Sequence, residues 1–387
     1  MHIGMVSPYS LSVPGGVQGQ VIGLTRALRR RGHTVHVLAP ADGPTGLSGV
    51  TVVGPSVVNE ANGSMAPISP HAPTQLRTMR ALWDGDFDVL HLHEPFVPGP
   101  TATALMLRPA PIVGTFHAAG DQPMYKSMSS LVRWFGTRID AKVAVSPAAR
   151  NLAAVALADP WTILFNGLEL DGFADLEPWS EPGRPRSDRP TILFVGRHEE
   201  RKGLGVLLEA LAGLSHDVEV WIAGAGPQTA ELRHRFAADR RLRWLGFIGD
   251  VERDRRMAAA TVFVAPALGG ESFGIVLVEA MAAGAPVVAA ANEGYGAVAG
   301  PSGDDPAAAL LVEPGDPAAL GVAIASILDD PDLAETMRQR GRRRAARFSM
   351  DHLAEAYLVL YENVIAEQTL SARSRRRASR PVGLPGS

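Results

Sequence analysis

Two carboxylates stand in the segment 269–284, which reads GGESFGIVLVEAMAAG: Glu271 lies in a glycine-rich turn and Glu279 within an apolar stretch. Glycines let a ligand approach the backbone closely. Free N–H groups at a helix start favour an anion such as a phosphate. The carboxylates can accept hydrogen bonds from hydroxyl groups. A diphosphate, a ribose and a hexose offer the matching groups, so the segment predicts a sugar-nucleotide site.

The apolar part of this segment has to position those carboxylates. Ile275–Ala283 is apolar on every side and lacks period-two alternation, which predicts a buried helix. We expect Ser272 to be its N-cap and Gly284 its C-cap. A carboxylate at Glu279 is costly in such surroundings unless it is paired or hydrogen-bonded. A purely structural alternative is that Glu279 pairs with an arginine or lysine and has no further role.

A second candidate group follows the predicted strand TILFVG, which begins at Thr191. Arg197 and Lys202 lie on the loop GRHEERKG, after the carboxyl end of this strand. Ligands of open α/β sheets gather at the carboxyl ends of the strands, and arginine and lysine suit a diphosphate there. The alternative is a solvated basic loop.

The chain opens with a predicted strand, a glycine turn at 14–16, a helix and a second strand at 34–39, which is a βαβ pattern. Gly15 and Gly16 precede the helix and could hold a phosphate. A dinucleotide site needs G-x-G-x-x-G and an acidic residue after the second strand. The turn reads PGGVQG and the second strand ends in Ala39–Pro40, so an NAD enzyme is not expected.

Histidines end two predicted strands. His91 and His93 share one face of a strand, with Glu94 beside them, but such a set is a weak indication of a metal. We expect the loop at His93–Glu94 to line a cleft instead. His117 ends the strand PIVGTFH, where the topology rule favours a ligand contact over a core histidine. The acidic pair at 84–86 precedes its strand and predicts a turn rather than a metal site.

Composition excludes several classes of protein. The 387 residues are 46% hydrophobic and 20% charged, which fits a soluble chain of two domains. A net charge of −3 gives no reason to expect nucleic acid as a partner, and the absence of cysteine excludes a disulfide framework. The start of the chain is not a signal peptide, and no segment predicts a transmembrane helix. We expect a cytoplasmic protein whose membrane role, if it has one, is peripheral.

Basic and proline-rich segments divide the chain. Basic and aromatic residues alternate in 124–140, which suits an anionic membrane surface or, equally, a core-facing helix with a solvated side. The tail from Ser371, with five arginines, is expected to be disordered. The predicted parts are an N-terminal Rossmann-like domain (1–170), a linker (171–190), a C-terminal Rossmann-like domain (191–350), a helix (351–368) and a basic tail (369–387).

Taken together, these motifs resemble the retaining GT-B glycosyltransferases of family 4, and within it the actinobacterial phosphatidylinositol mannosyltransferases. The resemblance covers roughly residues 1–367. It rests on the segments SPYSLSVPGGVQ, DFDVLHLHEP, GTFHAAG, LFNG, GRHEERKG and GGESFGIVLVEAMAAG. It implies an α/β fold of two Rossmann-like domains facing across a cleft, with a C-terminal helix that returns to the N-terminal domain.

The resemblance also implies roles for individual residues. The catalytic set is His117, Glu271, Arg197 and Lys202. Donor binding falls to Gly15, Gly16, Arg197, Lys202, Gly270, Glu271, Ser272, Phe273, Gly274 and Glu279, with Glu279 on the ribose and Glu271 on the hexose. Acceptor binding falls to Tyr9, Gln18, Asn62, Arg77 and Arg80, the last two as part of a basic lipid-facing cluster.

The implied reaction is transfer of mannose from GDP-mannose to the myo-inositol of phosphatidylinositol with retention, by a monomer on the inner face of the plasma membrane. No metal or other cofactor is expected, because Arg197, Lys202 and a helix N-terminus can stabilise the leaving diphosphate. Two alternatives remain open: a family 4 enzyme with another sugar nucleotide and a soluble acceptor, and a non-catalytic nucleotide-sugar-binding protein.

Overall fold

A computed structural model describes residues 1–61, 64–119, 129–181 and 189–378. The chain divides into two compact units. The first unit comprises Met1–Val145, Ala149–Leu164 and the residues from Asp351 onward, and the second comprises Ser146–Ala148 and Phe165–Met350.

The first unit contains a seven-stranded sheet in the order β3-β2-β1-β6-β7-β8-β9, all of whose pairs are parallel, and a separate antiparallel pair β4-β5. Parallel strands need crossover connections, which the helices between them supply. The strands are β1 (His2–Val6), β2 (Thr34–Ala39), β3 (Val50–Val52), β4 (Val57–Ala61), β5 (Ser64–Ile68), β6 (Val89–His93), β7 (Ile112–Phe116), β8 (Ala141–Ala144) and β9 (Thr162–Ile163). The helices are α1 (Gly16–Arg30), α2 (Ala72–Asp84), α3 (Pro100–Leu107), α4 (Ser129–Gly136) and α5 (Pro147–Ala154).

The second unit contains a six-stranded parallel sheet in the order β12-β11-β10-β13-β14-β15. Its strands are β10 (Thr191–Val195), β11 (Glu219–Ala223), β12 (Leu242–Gly246), β13 (Val262–Ala265), β14 (Val287–Ala290) and β15 (Leu310–Val312). Its helices are α6 (Leu204–Ala210), α7 (Thr229–Arg235), α8 (Asp250–Ala259), α9 (Ile275–Ala283), α10 (Glu293–Ala299), α11 (Pro317–Asp329) and α12 (Pro331–Ala346). Both units are Rossmann-like, as the sequence predicts.

The buried helix predicted at 275–283 is α9, with the same bounds. Gly284 is its C-cap, as expected, with a φ of 83°. The expectation that Ser272 caps the start was wrong. Gly274 takes that position with a φ of 100°, in the left-handed region that glycine adopts without steric cost.

The last helix, α13 (Met350–Ala378), packs on the first unit, as the fold class requires. Arg31 pairs with Asp351 at 2.6 Å and with Glu355 at 2.7 Å. The expectation of a disordered tail was wrong for residues 369–378, which continue the helix, since alanine, leucine and arginine are good helix formers. Arg380 lies outside the described residues.

The change from the first to the second unit comes earlier than the predicted linker at 171–190. Leu164 is the last residue of the first unit before the chain enters the second unit at Phe165. Phe165 and Leu168 already pack against the second unit's hydrophobic core. Of the predicted basic helix 124–140, residues 129–136 form α4 and residues 137–140 lie beyond its end, whereas residues 120–128 lie outside the description. Among the described residues, no helix is both long enough and apolar enough to cross a membrane.

Candidate active-site residues of the two units

In the second unit, the basic loop at 197–203 leaves the carboxyl end of β10, one of the two central strands of its sheet. Arg197 keeps 43% of its side chain exposed, and its Nη2 lies 2.9 Å from Oε1 of Glu199. Glu199 also pairs with Arg201 at 3.0 Å. Glu199 therefore pairs with an arginine on each side of it in the loop, and Arg197 is the more exposed of the two arginines.

Glu271 lies against this loop, although it is about 70 residues further along the chain. Its Oε1 accepts hydrogen bonds from Nη1 of Arg201 at 3.0 Å and from Nζ of Lys202 at 2.7 Å. The Glu271 side chain is 11% exposed, and Lys202 is 22% exposed. Two cations on one oxygen hold the carboxylate in place, and Oε2 has no partner among the described side chains.

The backbone brings the loop and Glu271 together at glycines. Gly203 has a φ of 70°, and a Cβ there would stand 1.9 Å from the carbonyl oxygen of Pro266. A Cβ at Gly294, in α10, would stand 2.2 Å from the carbonyl oxygen of Glu271. These two close approaches require glycine, since any other residue would push apart the segments that carry Lys202 and Glu271.

The start of α9 has no side-chain cap. Its first N–H groups are therefore available for an anion. Phe273 is only 2% exposed and packs against Phe165 and Phe348, with ring centroids 5.7 Å and 5.4 Å apart. A ligand at the turn Gly270–Gly274 can therefore contact the backbone of Phe273 but not its ring.

Glu279, the second carboxylate of the segment 269–284, lies within α9. Its carboxylate is 3.3 Å from Nη2 of Arg253, an arginine of α8 that also pairs with Asp250 and Asp254. Burial raises the pKa of Glu279 to about 7, although Arg253 acts in the opposite direction. The ion pair that the structural alternative requires is present, and 13% of the side chain remains exposed.

In the first unit, His117 directly follows β7, the strand that the run PIVGTFH predicted. Its backbone N–H and that of Ala118 donate to Oε1 of Glu94, at 2.5 Å and 2.7 Å. Glu94 follows β6 and has a φ of 50°, which is uncommon for a residue other than glycine. Burial raises the pKa of Glu94 to about 7, and the two N–H donors act against this rise. Glu94 thus holds the carboxyl ends of β6 and β7 together.

The histidines form a buried stack beneath this edge. The rings of His91 and His93 are 4.3 Å apart, and those of His93 and His117 are 5.1 Å apart. His91 is bonded on both nitrogens, to Tyr361 and to Thr115, each at 2.7 Å. The expectation that His93 lines a cleft was wrong, since its side chain is 1% exposed. Glu94 and His117 are 6% and 7% exposed. His93 and Glu94 both contact His117.

Tyr9 and Gln18 lie at the same edge, after β1. Burial, and then the charge of Glu94, raises the pKa of Tyr9 above its usual value, so its phenol stays neutral. Nε2 of Gln18 is 3.5 Å from the carbonyl oxygen of Ser10. Gly15 precedes α1 and Gly16 begins it; both are exposed, and no side chain caps the helix start. The start of α1 therefore offers free N–H groups, as the sequence suggested.

Arg77 and Arg80 lie elsewhere on the first unit. They are exposed on α2 and line a groove of about 480 Å³ with His2, His36 and Phe87. Nη1 of Arg77 also donates to the carbonyl oxygen of Val53, the residue after β3, at 3.4 Å. Asn62 lies outside the described residues.

Several residues of these sites were missed from the sequence. Arg201 and Glu199 stand within the motif GRHEERKG and could have been found there, but nothing in the sequence pairs them with Glu271. No local sequence pattern pairs Arg253 with Glu279 or Glu94 with the backbone of His117. Within the described ranges, no three histidine, aspartate or glutamate side chains come together as a metal site.

Comparison with known proteins gives the family. Residues 14–171 match the model "Glycosyltransferase Family 4", and residues 176–344 match "Glycosyl transferases group 1". The chain is 40% identical to the phosphatidyl-myo-inositol mannosyltransferase of Mycolicibacterium smegmatis, over 94% of each chain. It is 38% identical to that of Mycobacterium leprae, over 94% of this chain and 97% of the relative.

Solved structures agree on the fold. Anabaena HepE in complex with UDP and glucose superposes with a TM-score of 0.71 at 18% identity, over 94% of this chain and 100% of the other. Identity at this level speaks for the fold alone. The two Rossmann-like units, the two family models and the identity over nearly the whole chain lead to one conclusion: this protein is a GT-B glycosyltransferase of family 4 and belongs to the family of the phosphatidyl-myo-inositol mannosyltransferases.

Proposed function

We propose that the chain transfers mannose from GDP-mannose to the myo-inositol ring of phosphatidylinositol, with retention at the anomeric carbon. The observation that carries this proposal is the 38–40% identity, over 94% of the chain, to phosphatidyl-myo-inositol mannosyltransferases. The breadth of the match means that both substrate-binding units are shared with those relatives, not one of them alone.

The donor diphosphate is assigned to the second unit. Arg197 has an exposed guanidinium for a phosphate oxygen, and Lys202 and the uncapped start of α9 add positive potential. Charge develops on the diphosphate as the bond to the sugar breaks, so these groups stabilise the transition state more than the ground state. The proposal needs no metal for this step.

The hydroxyl groups of the donor are assigned to the two glutamates. Arg201 and Lys202 hold Oε1 of Glu271, which leaves Oε2 to accept from the hexose. Glu279 is assigned to the ribose, with Arg253 as the counter-ion that keeps the carboxylate fixed. Gly270, Ser272, Phe273 and Gly274 contribute backbone groups, and Gly15 and Gly16 are assigned to the phosphates.

The acceptor is assigned to the first unit. Tyr9 and Gln18 would hold the inositol ring, and His117 would accept a hydrogen bond from a substrate hydroxyl. An inositol oxygen attacks the anomeric carbon on the face from which the diphosphate leaves. The carbon–oxygen bond to the diphosphate breaks, and a diphosphate oxygen takes the inositol proton. This route needs no glycosyl-enzyme intermediate, and neither glutamate acts as a nucleophile.

The acceptor's own chemistry determines where the enzyme would work. Phosphatidylinositol is held in a membrane, so a monomeric enzyme of this kind acts as a peripheral protein, on the cytoplasmic face where sugar nucleotides are made. Arg77 and Arg80 are exposed cations on one face of the first unit that would meet anionic lipid. The second candidate is a family 4 enzyme with a soluble acceptor, which the small number of basic residues in this lipid-facing cluster favours.

The deciding experiment is transfer from radiolabelled GDP-mannose into phosphatidylinositol vesicles, with UDP-glucose and UDP-N-acetylglucosamine as competitors. We expect labelled lipid that neither competitor suppresses. The variant Glu271→Gln should lose at least about a hundredfold in rate, in the range for a lost charged contact to the transition state. Glu335→Gln, an exposed carboxylate on α12, is the matched control and should keep the full rate.

The result also separates the two candidates. Label in a soluble inositol phosphate, with none in the vesicles, would replace the lipid acceptor by a soluble one. Label from UDP-glucose, with none from GDP-mannose, would overturn the donor.

A further inference from the structure

We infer that Met5 and His93 fix the direction of hydrogen bonding at His117, so that Nδ1 of His117 is presented as an acceptor to a substrate hydroxyl. His93 and Met5 are then positioning residues for the site. The inference rests on the role proposed for His117 and deepens it, since it states which nitrogen acts and in which sense.

The three side chains form one buried row. Nδ1 of His93 is 2.9 Å from Nε2 of His117, and Nε2 of His93 is 3.2 Å from the sulfur of Met5. Met5 and His93 are at most 1% exposed, and His117 is 7% exposed. Solvent therefore reaches neither of the two contacts in the row.

Both histidines are neutral. Burial lowers the pKa of His117 to about 3 and that of His93 well below its usual value. A neutral imidazole carries one proton, so one of its nitrogens donates and the other accepts. Each histidine therefore has two possible tautomers.

Met5 decides between them. A thioether sulfur has no hydrogen and can only accept. Nε2 of His93 gains a partner if it carries the proton and faces a second lone pair if it does not. With the proton on Nε2, Nδ1 of His93 accepts, and Nε2 of His117 must donate to it. Nδ1 of His117 is then left unprotonated.

Neighbouring groups do not change this assignment of the ring protons of His93 and His117. His91 stacks on His93, but its own nitrogens are bonded to Tyr361 and Thr115. Glu94 reaches His117 only through the backbone N–H. In the described part of the chain Nδ1 of His117 has no partner, so a bare acceptor remains at the end of β7. Its chemistry fits a hydroxyl, whether of the hexose or of the inositol.

The tautomer can be measured without any activity. Two-bond ¹H–¹⁵N correlation of the full chain labelled with ¹⁵N-histidine separates protonated from unprotonated ring nitrogens. His117→Gln identifies the signals of residue 117. We expect a proton on Nε2 and none on Nδ1. A proton on Nδ1, or averaged signals from two tautomers, would overturn the inference.

Variants of His93 test the consequence. His93→Leu removes the acceptor for Nε2 of His117, and we expect kcat/KM for transfer to fall about tenfold to a hundredfold, with averaged tautomer signals. His93→Asn keeps an oxygen acceptor near the position of Nδ1 and should restore kcat/KM to within about threefold of the wild type.

Folding and the proposed function are controlled separately. Melting temperatures show whether either variant is merely unstable. Equal losses in two folded variants, with the wild-type tautomer kept in both, would refute the positioning role. If the wild type transfers no mannose at all, the proposed function fails, whereas the tautomer measurement still decides the inference.

Discussion

Oε1 of Glu94 accepts a hydrogen bond from the backbone N–H of His117 at 2.5 Å, and this contact joins the ends of two parallel strands. Glu94 holds its carboxylate there from a left-handed backbone conformation, with a φ of 50°. Such conformations cost about 1–3 kcal/mol and persist where the surroundings demand them. The backbone position of His117 is therefore set by a neighbouring strand and not by its own loop alone.

Replacing Glu94 by glutamine should displace His117. The neutral amide accepts more weakly than a carboxylate and brings N–H donors into a buried place. We expect the rate of transfer to fall about tenfold to a hundredfold, the effect of a small misplacement of a reacting group. Steady-state kinetics on vesicles measure it. Glu355→Gln, an exposed carboxylate of the same unit, is the control. A wild-type rate for Glu94→Gln would contradict the role given to Glu94.

Glu279 should make stability depend on pH. Burial raises its pKa from 4.5 to about 7, so the folded state keeps a proton that the unfolded chain has lost. The contribution of Glu279 to the free energy of unfolding is fully present below pH 4.5 and is lost as the pH rises towards 7. Glu279→Gln lacks this loss and should gain up to about 3 kcal/mol relative to the wild type over that range.

Thermal unfolding at pH 5 and pH 8 tests this expectation. The buried histidines titrate in both proteins, so their contribution cancels in the difference between variant and wild type. Glu335→Gln should parallel the wild type. If the curve for Glu279→Gln is also parallel, the carboxyl of Glu279 is ionised at both pH values.

Two tyrosines of α13 allow a matched comparison in the buried stack. Tyr361→Phe removes the hydroxyl 2.7 Å from Nδ1 of His91 and leaves that nitrogen unpaired. We expect a loss of about 1–3 kcal/mol in the free energy of unfolding. Tyr357→Phe should cost less, because Thr115 keeps its bond to His91. Equal losses in the two variants, measured by thermal unfolding, would argue against this order.

Gly203 and Gly205 form a second matched pair. Alanine at Gly203 meets a φ of 70° and a carbonyl oxygen at 1.9 Å, whereas alanine at Gly205 meets only Leu232 at 3.9 Å. Gly203→Ala should lower the melting temperature and the rate together, since Lys202 moves with it. Gly205→Ala, inside α6, should gain about 0.5–1 kcal/mol. A stable and fully active Gly203→Ala would show that the close approach to Pro266 is dispensable.

Local patterns predicted the elements that carry the site. The apolar run at 275–283 and the glycine after it specify α9, because side-chain periodicity and φ are properties of neighbouring residues. The apolar run PIVGTFH likewise predicted a strand that ends at His117. The expected N-cap at Ser272 was wrong, because Gly274 takes that position in a left-handed conformation that glycine adopts without steric cost.

The sequence by itself determined the family, the two Rossmann-like units and the residue types at the strand ends. Only the tertiary structure decided the partners of those residues. Glu271 meets Arg201 and Lys202, Glu279 meets Arg253, and Glu94 holds His117. Each of these contacts joins segments that are distant along the chain. Their charges and hydrogen bonds act over a few ångströms of space, and no local pattern encodes which segments the folded sheets bring that close.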